Sequence, residues 1–102
     1  MLCALTVRNL KPGTVEQFKQ AMIPDDVSNI PAGWKKFYFL KNVGDENQVI
    51  TFGLFDGTLE ELRASQQEGS SEYEARRAAA DEFVESVGAD SIFEIVEERS
   101  ME

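Results

Sequence analysis

Few residues in this chain have side chains suited to chemistry: Arg8 and Asn9 side by side, the only tryptophan at Trp34, tyrosines at Tyr38 and Tyr73, and the only cysteine at Cys3. An indole ring can stack on a flat aromatic ligand, and a tyrosine hydroxyl or asparagine amide can hold a phenolate or quinone oxygen. Each also has an ordinary structural use. Trp34 reads as an anchor between two copies of the chain, and Tyr73 as a core residue on the inward side of a helix. Asn9 reads as a cap for the turn at Lys11-Pro12-Gly13. The chain has no histidine, which removes Ser-His-Asp and Cys-His nucleophiles, histidine metal sites and histidine-ligated haem. No carboxylate pair has a spacing that marks acid–base or metal work, so no cofactor and no metal are expected. The glutamates read as solvated faces, and Arg76 and Arg77 as partners of Glu72, Glu74 or Asp81 at helical spacing. Any pocket would be apolar and aromatic, lined from Phe18, Met22, Phe37, Phe39, Phe52 and Phe83.

The 102 residues suit one domain, 1–102, with a modest core of its own. A net charge of -9 repels phosphates, which argues against nucleic acid and anionic membrane surfaces. The apolar start, Met1 to Val7, is short and lacks a basic leader, so no signal peptide is expected. No apolar run approaches the length of a membrane span. With one cysteine no intrachain disulfide can form, and a reducing, cytoplasmic location is the expectation.

Positioning falls to elements that periodicity predicts. Leu2 to Leu10 alternates as a strand, and Thr14 with Gln17 has the spacing of a capping box opening a helix through Met22. A loop follows from Pro24 to Gly33, then a strand from Trp34 to Val43. Gly44 to Asn47 makes a hairpin into a third strand, Gln48 to Phe55. Asp56-Gly57 breaks that strand, and Thr58 with Glu61 opens a helix, interrupted at Gln66 to Ser71. Ser71 with Glu74 starts a longer helix carrying Tyr73, Ala80, Phe83, Val84 and Val87 up to Gly88, and Ser91 to Glu98 is the last strand. This βαββαβ order is α+β and ferredoxin-like, a four-stranded antiparallel sheet with helices on one face. Cys3, Leu5, Val7, Phe37, Phe39, Ile50, Phe52 and Leu54 are expected against the helices. Leu2, Ala4, Thr6, Trp34, Tyr38, Leu40, Val49, Thr51 and Phe55 then face away, a patch too apolar for water and suited to a homodimer through the sheet face.

The order of elements, the length, the two-part helical segment after the third strand and the apolar second face resemble the dimeric α/β-barrel superfamily. Within it they look most like the antibiotic biosynthesis monooxygenase domain. The resemblance covers Leu2 to Glu98 and rests on pattern. It implies a ligand cavity between helices and sheet, and a cofactor-independent monooxygenase acting on a small aromatic or quinol-type compound. The alternative it carries is a non-catalytic small-ligand-binding or structural dimer of the same superfamily. Some oxygenases of this family hold the substrate oxygen with an asparagine near the position of Asn9, so Asn9, Trp34 and Tyr73 are the expected contacts. Where many members carry histidines, this chain has Leu62 to Gln66 and Glu72 to Glu74, which sets the haem-degrading branch aside.

Overall fold

The computed structural model describes residues 1–23, 31–68 and 70–101, and for residues 68 and 70–73 the backbone alone. In chain order the elements are β1 (Leu2–Leu10), α1 (Val15–Met22), β2 (Trp34–Asn42), β3 (Asp45–Phe55), α2 (Leu59–Glu68), α3 (Ser70–Asp81) and β4 (Val84–Glu94). The strands form one antiparallel sheet in the order β2-β3-β1-β4, the ferredoxin-like arrangement.

Local chemistry explains most boundaries. Thr58 and Glu61 form the expected capping box: the Glu61 amide donates to Thr58 Oγ1 at 3.1 Å, and the Thr58 amide to Glu61 Oε1 at 3.0 Å. Replacing Thr58 by alanine should cost about 1 kcal/mol, read as a fall of roughly 4–8 °C in a thermal melt. The box expected at Thr14 and Gln17 does not form. Thr14 Oγ1 donates back to the Lys11 carbonyl at 2.7 Å, closing the turn in which Gly13 takes a positive φ of 76°. The hairpin is also tighter than expected: Asn42 pairs with Asp45, so β3 begins three residues before Gln48. The expected loop at 24–30 lies outside the described residues.

The largest boundary correction is at the C-terminal end. α3 stops at Asp81, and Val84, Val87 and Gly88, expected on a helix, belong to β4. Val84 pairs with Leu10 and Val87 with Arg8, and the register shifts there absorb Gly88. Sheet hydrogen bonds along the whole of β1 outweigh a helical spacing that was equally compatible with the sequence.

The two sheet faces are also exchanged on β1 and β3. The core against the helices contains Leu10 and Val49 with Phe18, Met22 and Ala80, and Phe39 packs on it as expected. Thr6, Arg8, Thr51 and Phe55 are buried on this same side. Cys3, Leu5, Val7, Ile50, Phe52 and Leu54 instead face away, joined by Tyr38, Leu40 and Phe93. Reading the more apolar side as the interior fails because the interior's polar groups are satisfied in place. Arg8 Nη1 donates to Thr51 Oγ1 at 2.9 Å, and Thr6 Oγ1 donates to Asp90 Oδ1 at 3.0 Å.

Candidate functional site

A groove of about 430 Å³ opens where the chain entering β2 meets the β3–α2 connection. Its wall is the Phe55 ring, its rim carries Asp56 and Glu61, and its sides are Ala32, Gly33, Ala64 and Ser65. Three glycines hold this wall in shape. Gly33 has a positive φ of 102°, and a Cβ there would lie 2.5 Å from the Phe55 ring. Gly57 gives the ring room on its other side, and the Asp56 amide donates to the Gly33 carbonyl at 2.8 Å. Gly53, inside β3, leaves the space that the Trp34 ring fills, since a Cβ there would meet it at 2.8 Å.

Trp34 stands behind the groove. Its ring meets Phe55 edge-on at 5.1 Å, and its Nε1 donates to Ser65 Oγ at 3.0 Å. Ser65 Oγ in turn donates to the Leu62 carbonyl at 2.7 Å. Trp34 therefore ties β2 to α2 on the helix side, and it is not on the open face where a dimer anchor would sit. Further in, Arg8 is 1 % exposed, and its guanidinium carbon lies 5.4 Å from the centre of the Phe18 ring, a cation–π contact in a water-poor interior. Arg77 pairs with Asp90 of β4 at 3.1 Å, a contact across elements and not at helical spacing.

Asn9 lies on the opposite face. Its amide nitrogen donates to Ser86 Oγ at 3.0 Å and its amide oxygen accepts from Gln48 Nε2 at 3.2 Å, while Asn42 Nδ2 donates to Gln48 Oε1 at 2.7 Å. The result is a continuous row across all four strands. Asn9 and Trp34 also sit near opposite ends of the sheet, roughly 23 Å apart along the strands. They are not brought together. Tyr73 is placed on α3 by its backbone, and its side chain lies outside the described residues. Cys3 is half-buried on the open face, where burial pushes its thiol above the ordinary value.

The polar residues that line the groove and were not expected there from sequence are Asp56, Glu61 and Ser65. The capping-box spacing already fixed Glu61 at the mouth of α2, but nothing in the sequence showed that the segment at Ala32-Gly33 would close the other side.

No family model matches the sequence, and no curated protein matches it either. Solved structures do match. One, from Nitrosomonas europaea and provisionally named an antibiotic biosynthesis monooxygenase, superposes with a TM-score of 0.74 at 17% identity, over 95% of this chain and 100% of that one. A second with the same provisional name, from Chloroflexus aurantiacus, gives 0.74 at 12% identity, over 99% and 98%. The chain has the fold of the antibiotic biosynthesis monooxygenases. A NIPSNAP family protein from Agrobacterium tumefaciens shares it too, with a TM-score of 0.70 at 10% identity over 99% and 98%. At such identities the likeness concerns the fold, and function has to come from the site. Among the described residues, no helix is long and apolar enough to cross a membrane.

Proposed function

We propose that this chain is a homodimeric, cofactor-independent monooxygenase that takes a small, flat, hydroxylated aromatic compound in the groove beside Phe55. The observation that carries this reading is the pairing, in one groove, of an aromatic wall with two carboxylates at its rim. An apolar ring would lie over Ala32, Gly33 and Ala64, above the buried Phe55 ring, and a phenolic hydroxyl would donate to Asp56 or Glu61. Losing that proton leaves an electron-rich phenolate or enolate that can reduce dioxygen itself. The reacting ring carbon then gives up its one hydrogen, one oxygen atom becomes the new carbonyl, and the other departs as water with that hydrogen and the hydroxyl's proton, so no outside reductant is needed.

The names of the structural neighbours support this chemistry and do not extend to a substrate. A second reading, a binding module without catalysis, is favoured by one observation: the groove's polar groups already have internal partners, as in the Thr58–Glu61 box and the Trp34–Ser65 pair. Oxygen uptake across a panel of hydroquinones and anthrones separates the two. The enzyme reading expects protein-dependent uptake that falls on the order of 10²-fold in Asp56→Asn and survives in Asn9→Ala. Uptake lost in Asn9→Ala and kept in Asp56→Asn would move the site to the open sheet face. No uptake with any compound would leave the binding module.

A further inference from the structure

Asp56 is the only aspartate or asparagine in the chain that precedes a glycine. The pair is chemically distinctive, because the next residue's amide nitrogen can attack an aspartate carboxyl and close a five-membered ring. A side chain on the attacking residue hinders that closure, and glycine has none. In a folded chain the carboxyl and the attacking amide must also both be unengaged, in a segment that water reaches.

Asp56 is exposed, in the connection between β3 and α2. Its own amide is tied to the Gly33 carbonyl at 2.8 Å, and the Thr58 amide is tied to Glu61 Oε1 at 3.0 Å. Between these anchors, the Asp56 carboxylate and the Gly57 amide have no hydrogen-bond partner among the described residues. Asp45 and Asp90 differ. Asp45 Oδ1 accepts from the Asn47 amide at 3.0 Å. Asp90 accepts from Thr6 Oγ1 at 3.0 Å and from Arg77 at 3.1 Å, and its backbone lies in the β1–β4 ladder. The fold also keeps the glycine in place. A Cβ at position 57 would lie 2.6 Å from the Phe55 ring, so the packing of the groove wall excludes the side chain that would slow the closure.

We propose that Asp56-Gly57 is a site of spontaneous backbone isomerisation in the folded protein. The Gly57 nitrogen attacks the protonated carboxyl of Asp56, a C–N bond forms, and the amide proton leaves with the carboxyl hydroxyl as water. Water then opens the succinimide at either carbonyl and restores the lost mass. Opening at the side-chain carbonyl returns aspartate. Opening at the backbone carbonyl gives isoaspartate, in which the chain runs through Cγ and the carboxylate sits directly on Cα. The β3–α2 connection gains one methylene, and no oxidant or reductant is consumed. This lengthens the span between the Gly33–Asp56 hydrogen bond and the Thr58–Glu61 box, and it moves the carboxylate at the groove rim. Its effect on ligand binding rests on the function proposed above, whereas the isomerisation itself does not.

Prolonged incubation of the wild-type protein at physiological temperature and neutral pH, followed by trypsin, gives the test. Cleavage after Lys41 and Arg63 releases residues 42–63, whose aspartates are Asp45 and Asp56. Isoaspartate should accumulate at position 56, located by electron-transfer fragmentation and by methyl uptake from S-adenosylmethionine with an isoaspartyl methyltransferase. Positions 45 and 90 should remain aspartate. Asp56→Glu, which would have to close a six-membered ring, should lose the signal. Protein that keeps aspartate at 56 while the excised 42–63 peptide isomerises alongside it would overturn the proposal, as would equal isomerisation at 45 and 90. An isomerised fraction, separated by ion exchange, that binds hydroquinones as fresh protein does would leave the modification site standing. It would count instead against Asp56 as the acceptor in the groove.

Discussion

Truncating Phe18 to alanine is expected to lower the unfolding free energy by about 3–5 kcal/mol, which for a domain of this size is a large share of a total of roughly 5–15 kcal/mol. Phe18 is 0 % exposed and sits where five elements meet. From α1 it packs with Leu10 of β1, Val49 of β3 and Ala80 of α3, and its ring lies 6.0 Å from that of Phe39 on β2. Its removal would leave a cavity that strands held in register cannot close. It would also take away the ring face over which the buried Arg8 guanidinium lies, leaving that cation against a void. Equilibrium denaturation by urea gives the number. Phe18→Leu, which keeps most of the volume, should cost clearly less, and a loss below about 1 kcal/mol for the alanine variant would mean that Phe18 is not central to the core.

The second large effect is expected at Gly33, where stability and the groove are linked. A methyl group there would require an L-residue to hold a φ of 102° and would place its Cβ 2.5 Å from the Phe55 ring. Strain of about 1–3 kcal/mol from the backbone and a similar overpacking cost add to roughly 2–5 kcal/mol. Some of that clash can be relieved by rotating Phe55, but Gly57 on one side and the edge-on Trp34 ring limit how far it can turn. Gly33→Ala should thus destabilise the fold and deform the groove wall together. A Gly33→Ala variant with unchanged melting temperature and intact ligand affinity would show that the wall is softer than its packing indicates.

The sequence carried much of the fold but little of the site. The limits of β1 at Leu2 and Leu10, the start of β2 at Trp34 and the Thr58–Glu61 box were legible, because each rests on local spacing. Which face of β1 and β3 turns inward was not. Thr6, Arg8 and Thr51 look like surface residues until their partners are known, and those partners, Asp90 for Thr6 and Thr51 for Arg8, are 84 and 43 residues away. The register offered a check, since Phe39 opposite Thr51 and Phe37 opposite Gly53 must share a face with them, but that register exists only in three dimensions. Helical and extended readings of Phe83 to Gly88 fitted the sequence equally, and only pairing with β1 decided for the strand. The groove was invisible for a related reason: it joins Ala32-Gly33, Phe55-Asp56 and Glu61 to Ser65, three segments whose approach depends on the β2–β3 pairing.

The claim that a hydroxylated aromatic ligand occupies the groove can be tested most directly through Trp34, the only tryptophan and a neighbour of the groove wall. Its fluorescence, followed without oxygen while hydroquinones and anthrones are added, reports binding apart from turnover. Occupancy of the groove predicts saturable quenching, close to one ligand per chain, weakened in Gly33→Ala and in Asp56→Asn and absent with aliphatic diols. Quenching that rises linearly with every compound and is indifferent to both substitutions would contradict the account.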